Sequence, residues 1–182
     1  VGPHSANEIA MWDDSTSPQF PRHPGRLENM ADMKDMIYQY DCGVRYTDDN
    51  IAQILDLLKK KGLYGDDLAV IITSDHGENM GELGIYGEHA TADEPTCHIP
   101  MIIKWPGAKK NFVARGLHDN VDLLPTVQEL LGTKIAGNYE YDGVSYAGTL
   151  LEGEDCARES VVLTQCCHVC QRSARFGDYL YV

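Results

Sequence analysis

Six consecutive residues, Leu68-Ala69-Val70-Ile71-Ile72-Thr73, are apolar or β-branched, and they give way at once to Ser74-Asp75-His76-Gly77-Glu78. A run without polar alternation predicts a strand covered on both faces, as in a parallel sheet. In open α/β sheets ligands bind just beyond the carboxyl ends of the strands. Asp75 and His76 therefore leave the expected sheet where chemistry is usually done. A carboxylate offers a hard oxygen and an imidazole a borderline nitrogen, a pair suited to a divalent ion. Gly77 would let the backbone turn sharply beside such an ion. The same residues also read as a turn feeding a helix N-cap, and at this point both readings stand.

The segment that follows carries Gly77, Gly81, Gly84 and Gly87 among Glu78, Glu82, Glu88 and His89. It offers little that could make a core, and a long loop without structure of its own is usually functional or disordered. A second strand is expected at Ile99-Pro100-Met101-Ile102-Ile103-Lys104-Trp105, ended by Pro106-Gly107. Upstream, residues 31–61 repeat Met36, Ile37, Tyr40, Val44, Ile51, Ile54, Leu55 and Leu58 at helical spacing. Asp32 and Asp35 near its start and Lys59, Lys60 and Lys61 near its end suit the helix dipole, with Gly62 as the stop. Gly43 inside it marks a bend or close packing, and Cys42 packs. A helix leading into a strand whose far end carries the polar residues is half of a βαβ unit.

Beyond Gly107 a second helix is expected at 121–131, capped by Asn120 or Asp122, with Pro125 in its first turn and Gly132 after it. Ser160 to Thr164 reads as a strand, and Arg175 to Val182, turning at Gly177-Asp178, as a hairpin. Residues 1–29, broken by Pro3, Pro18, Pro21 and Pro24, read as a surface loop, with His4 and His23 as polar loop residues or neighbours of the site. Cys166-Cys167-His168-Val169-Cys170 invites a zinc reading, but structural zinc takes four ligands in paired short spacings. Thiols packed at a strand end fit the pattern better, and His168 and Arg172 are open to a role facing substrate.

The formal net charge of −13 over 182 residues argues against a phosphate-neutralising nucleic-acid face. No apolar run is long enough to cross a bilayer, and these residues hold no signal peptide, which an upstream part could carry. Six cysteines are few for a disulfide scaffold, which favours a reducing, cytoplasmic setting. The chain begins Val-Gly-Pro rather than with Met and reads as a piece of a longer protein.

Taken in order, Thr73-Ser74-Asp75-His76-Gly77-Glu78, then His89, then Ile99-Pro100 through Trp105-Pro106-Gly107, resemble the sulfatase family of the alkaline phosphatase superfamily. In that family a strand ends in T-S-D-H-G-E or D-N-G, a Lys or His follows, and then comes V/I-P-x-I-I-x-W-P-G. Tyr40 to Tyr46, His118 to Thr126 (the D-x-x-P-T segment) and Asp142 to Tyr146 (the D-G-x-S turn) resemble further pieces of it. The resemblance implies an α/β fold, a sulfatase or alkaline-phosphatase-like mixed sheet flanked by helices. Residues 1–182 would be the later part of a single catalytic domain.

It also implies that Asp75 and His76 bind one divalent ion: calcium, manganese, magnesium or zinc. Histidine favours manganese or zinc over calcium. His89 would be catalytic, contacting the sulfuryl oxygens or protonating the leaving oxygen. Asp119 and Asp122 look like metal candidates by the same resemblance, but capping and turn roles suit them better. The family nucleophile is a formylglycine made within C-x-P-x-R. None of the six cysteines sits in that setting; Cys42 is followed by Gly-Val-Arg without the proline. The implied activity is hydrolysis of a small sulfate ester with the nucleophile supplied upstream, so that these residues alone would be inactive and their exposed sheet edge prone to self-association. Asp-His in place of Asp-Asn keeps a phosphonate monoester or phosphodiester hydrolase open, and a non-catalytic binding fragment is the remaining alternative.

Overall fold

The computed structural model describes residues 27–133, 140–155, 158–166 and 170–182. His4, His23, Cys167 and His168 lie outside them. The described residues fall into two compact units, one comprising those up to Gly65 with Ser74–Ile99, the other Asp66–Thr73 with those from Pro100 onward.

In the first unit, helix α1 spans Met30–Lys60. Asn29 caps it, its Oδ1 accepting from the amides of Ala31 (2.7 Å) and Asp32 (3.2 Å). It ends as expected at Gly62, past which the Leu63 amide donates back to the Leu58 carbonyl. Met36 is its one buried residue. Ile37, Ile51, Leu55 and Leu58 are half-covered, whereas Tyr40, Val44 and Ile54 stay exposed.

The segment expected to be a coreless loop is folded. Strands β2 (Asn79–Met80) and β3 (Tyr86–Glu88) pair antiparallel, and the short helix α2 (Glu94–Cys97) follows. Its core is largely polar, with Asn79, Asp93 and Thr96 buried alongside Ala90 and Ala92. Amide and hydroxyl groups fold this segment where apolar side chains are scarce, because most buried polar groups in it find partners, Asn79 Oδ1 being an exception.

In the second unit, β1 (Val70–Thr73) pairs with β4 (Met101–Lys104), Val70 opposite Lys104 and Thr73 opposite Met101. The pairing is antiparallel, which corrects the expectation of a parallel strand. Parallel partners need a crossover of a dozen or more residues, usually helical. The residues between β1 and β4 carry only the four-residue α2, a short hairpin and the three-residue 3-10 turn within it. Strands β5 (Ser160–Cys166), β6 (Cys170–Phe176) and β7 (Tyr179–Tyr181) form a meander, so among the described residues every ladder is antiparallel. Cys166 and Cys170 stand opposite each other across the β5–β6 ladder.

Helix α3 (Leu123–Leu130) is entered through a 3-10 turn at Asn120–Asp122, and α4 (Ala147–Glu152) follows the Asp142-Gly143-Val144-Ser145 turn. The cap is Asp119 rather than Asn120 or Asp122: its Oδ1 accepts from the Val121 amide while Asp122 Oδ2 accepts from the Asp119 amide. Asp122 is buried and joins three segments of this unit. Its carboxylate also takes the Val144 amide (2.7 Å) and a bidentate contact from Arg158. The Thr126 hydroxyl donates to the Asp122 carbonyl (2.6 Å) and accepts from the Tyr146 amide (3.0 Å). Gly143 sits so close that an added Cβ would fall 1.9 Å from the Val121 carbonyl oxygen. The two turns are thus clipped to each other, and the turn reading of Asp119 and Asp122 is the one their hydrogen bonds support.

Burial pushes the Asp122 carboxyl up, but Arg158 and the two amides outweigh it, so its pKa is lowered. A lowered folded-state pKa contributes stability at neutral pH that is lost as pH falls below the ordinary value of 3.8 toward the depressed one. Asp122→Asn should flatten that acid limb of a denaturation-versus-pH curve. Arg158→Ala, which leaves the buried carboxylate without its cation, should cost about 3 kcal/mol in urea unfolding at pH 7.

Candidate functional site

The chain leaves β1 at Thr73 and reaches Asp75 two residues later. What fixes the next residues is Gly77. Its amide donates to the Thr96 carbonyl (2.7 Å), and a Cβ here would stand 2.0 Å from the Pro95 carbonyl oxygen. The glycine is required by this close approach of two backbones, not by the sharp turn that the sequence suggested. Asn79 anchors the other side. Its Nδ2 donates to Thr96 Oγ1 (2.9 Å), to Thr91 Oγ1 and to both oxygens of Asp93 (3.2 Å each). Asp93 in turn accepts from the Thr91 hydroxyl (2.6 Å) and the Thr96 amide (3.1 Å), which caps α2. Burial raises the Asp93 carboxyl, and these donors more than offset it, leaving its pKa lowered.

This frame brings three predicted or chemically suited side chains together. His76 and His89 stack with ring centroids 3.9 Å apart and planes 13° from parallel. Glu78 Oε2 lies 3.2 Å from His89 Nδ1. One ligand atom from each of His76, Glu78 and His89 lies within 4.8 Å of the others. Burial pushes the Glu78 carboxyl up, against the pull of His89 and His76. Glu88, buried beneath, accepts from the His89 amide (2.8 Å).

Asp75 stands at the edge of this group with its side chain 88% exposed. Hydrogen bonds from the backbone amides of Asp75 and His76, with His76 and His89 nearby, hold its carboxyl below the usual range. Its Oδ2 is 3.7 Å from His76 Nε2. His76 Nδ1 lies 2.8 Å from the Gly77 carbonyl oxygen, an acceptor, so the proton belongs on Nδ1 and the lone pair on Nε2. A divalent ion about 2.1 Å from each donor spans a 3.7 Å gap at an open angle, so Asp75 and His76 fit the ion asked of them. The stacked rings do not both fit one ion. An ion in the plane of one imidazole lies off the plane of the other, and ligation uses the in-plane lone pair.

The structure therefore brings together His76 and His89, both singled out in the sequence, and leaves Asp75 at the rim. Glu78 was passed over as one acid among several in the loop. Its spacing of two from His76, the repeat of extended chain, was the available signal. The buried Asn79–Asp93–Thr96 frame had no signal in residue type.

A family model described as Sulfatase matches residues 1–133. The chain is 31% identical over 139 residues to the low-salt glycan biosynthesis sulfotransferase Agl7 of Haloferax volcanii, covering 74% of this chain and 32% of that protein. It is 30% identical over 111 residues to a choline-sulfatase of Rhizobium meliloti, covering 58% and 20%. Among solved structures it is similar to a 2-O GAG sulfatase, with a TM-score of 0.70 at 24% identity over 85% of this chain and 35% of that one. A phosphonate monoester hydrolase from Silicibacter pomeroyi gives a TM-score of 0.56 at 29% identity over 63% and 22%. The chain belongs to the sulfatase family, and its fold is that of sulfatases and alkaline-phosphatase-like hydrolases. It spans about a third or less of the length of these relatives.

Gly77→Ala should destabilise the chain by about 1–3 kcal/mol through overpacking against the Pro95 carbonyl. It should also separate the His76 and His89 rings, read as a loss of the mutual ring-current shift in their NMR signals.

Proposed function

We propose that the complete protein hydrolyses small sulfate esters, and that these residues contribute a metal-binding pair, Asp75 and His76, and His89 as a group that contacts the sulfuryl oxygens or acts as the acid. The observation that carries the reading is the stacked His76–His89 pair beside Asp75, set in a chain of the sulfatase family. The attacking group, a formylglycine, would lie outside these 182 residues, and the chain alone would be inactive as an esterase. Asp75 Oδ2 and His76 Nε2 would hold the divalent ion; manganese or zinc suits a histidine better than calcium. Bound there, the ion supplies positive charge against the oxygens of the ester.

The chain's own residues do the rest. His89, stacked on His76 and beside Glu78 at Nδ1, would act as the imidazolium, donating from its other nitrogen to a sulfuryl oxygen or giving that proton to the leaving oxygen. Gly77 and Asn79 keep these side chains in register. Among the described residues no helix is long and apolar enough to cross a membrane. With a net charge of −13, small anionic esters are a better substrate class than nucleic acid, because charge placed within the site outweighs net charge there.

A second reading, phosphonate monoester or phosphodiester hydrolysis, is favoured by the Asp75-His76 pair and by the likeness to the phosphonate monoester hydrolase. A panel of chromogenic esters offered to the complete protein decides between them. The expected outcome is aryl sulfate turnover with the highest kcat/KM; dominant phosphonate or diester turnover would establish the second reading. Elemental analysis tests the ion. Asp75→Asn should lower bound metal and turnover at least about tenfold with the circular dichroism spectrum unchanged. Metal content equal to wild type would remove Asp75 from the ligand set.

A further inference from the structure

Strands β5 and β6 carry a pair of thiols at the last described rung of their ladder. Cys166 and Cys170 stand directly opposite each other there. Residues so paired point to the same face of a sheet. The face they share also carries the exposed Val162, Thr164 and Arg172, while Val161 and Ser173 fill the other. Thiols packed at a strand end were the expectation for this cluster. Both sulfurs are instead exposed, and both cysteines are free.

The register already has the geometry of a bridge. Opposed residues of an antiparallel ladder have Cα atoms about 4.5 or 5.5 Å apart, and either spacing lies within the about 4.4–6.8 Å that a disulfide spans. The side chains also meet. A hydrogen bond with Cys170 raises the Cys166 thiol, and the Arg172 guanidinium pulls it the other way. A cation beside exposed thiols favours the thiolate, the reactive form.

Only three residues separate the two cysteines. A bridge between them removes little freedom from the unfolded chain compared with one that closes a long loop. Exposed disulfides are also the labile ones, whereas structural disulfides resist reduction. Among the described residues no third metal-suited donor joins these two sulfurs, and structural zinc takes four ligands.

We propose that Cys166 and Cys170 are a reversible redox site, which a low-molecular-weight disulfide of the glutathione class oxidises to a cross-strand disulfide. The thiolate of one cysteine attacks the small disulfide, forms a mixed disulfide and expels one small thiolate. The thiolate of the other attacks the protein sulfur of that mixed disulfide and expels the second. Two protein thiols are oxidised, one small disulfide is reduced to two thiols, and the two protons pass to them. The site is independent of the ester hydrolysis proposed above.

The test equilibrates the complete protein with reduced and oxidised glutathione, quenches in acid, alkylates free thiols and digests with trypsin. Cleavage after Arg158 and Arg172 leaves residues 159–172 as one peptide holding Cys166, Cys167 and Cys170. Under oxidising ratios this peptide should carry one alkyl group in place of three, and dithiothreitol should restore all three. Cys167→Ser should keep the bridge. Cys166→Ser and Cys170→Ser should each lose it and stop at the glutathione adduct. Because the ladder holds the sulfurs together, the equilibrium constant for bridging should be at least about tenfold higher in the folded protein than in urea. A peptide that stays fully reduced at every ratio, or a bridge lost in Cys167→Ser, would overturn the assignment. Equal constants with and without urea would show that the ladder does not build the site. Thiols that resist alkylation until EDTA is added would make it a metal site instead.

Discussion

One buried amide, that of Asn79, holds the candidate site in shape. Its Nδ2 is shared among Asp93, Thr91 and Thr96, and through them it ties β2 to the cap of α2. A glycine-rich segment with few apolar side chains cannot fold by burial of hydrocarbon, since each buried methylene is worth only about 0.8 kcal/mol and this segment has few to bury. It folds by leaving few buried polar groups unpaired, each of which would otherwise cost about 1–3 kcal/mol. Gly77 completes the arrangement by letting α2 approach within van der Waals reach of the backbone. His76, Glu78 and His89 meet because these constraints act on both sides of them.

The second unit solves the same problem with a charge. Asp122 is buried, and four donors converge on it: the amides of Asp119 and Val144 and two nitrogens of Arg158. Burying a lone carboxylate is prohibitive, whereas one that is paired and fully hydrogen-bonded becomes a rigid joint. Arg158 lies 36 residues from Asp122 in sequence. The joint therefore closes only when α3, the Asp142–Ser145 turn and the approach to β5 are all in place. Two such joints, one centred on an amide and one on an ion pair, go with a set of described residues whose buried members are polar as often as apolar.

Much of this was legible in the sequence where periodicity or punctuation carried it. Helix α1, its stop at Gly62, the strand ending at Thr73, and the β6–β7 turn at Gly177-Asp178 all follow from local pattern. Strand direction was not legible. The run Val70 to Thr73 is apolar enough for a parallel core, but its partner is chosen by how the chain returns, which residue type does not encode. His76 and His89 were legible as chemistry, and their stacking was not, because the twelve residues between them double back through the short β2–β3 hairpin, which residue type does not announce. Glu78 was hidden for a different reason: one acid among many in an acidic loop is distinguished only by what it touches. The capping role of Asp119 was likewise blurred by three candidate caps in four residues, Asp119, Asn120 and Asp122.

The charge of the chain at first opposes the activity proposed for it. A net charge of −13 repels a sulfate ester at long range. In physiological salt, however, that field is screened over about 8 Å, so an approaching ester feels mainly the groups near the site. There the acids are arranged to differ in reach. Glu88 is buried and engaged with the His89 amide, and Glu78 is largely covered and engaged with the His89 ring. Asp75, with its side chain exposed, is the acid that would be neutralised by an ion shared with His76. Each carboxylate around the two imidazoles thus has a partner of its own. On the proposed reading, His76 would share the ion with Asp75, and His89 would be the ring that meets the ester.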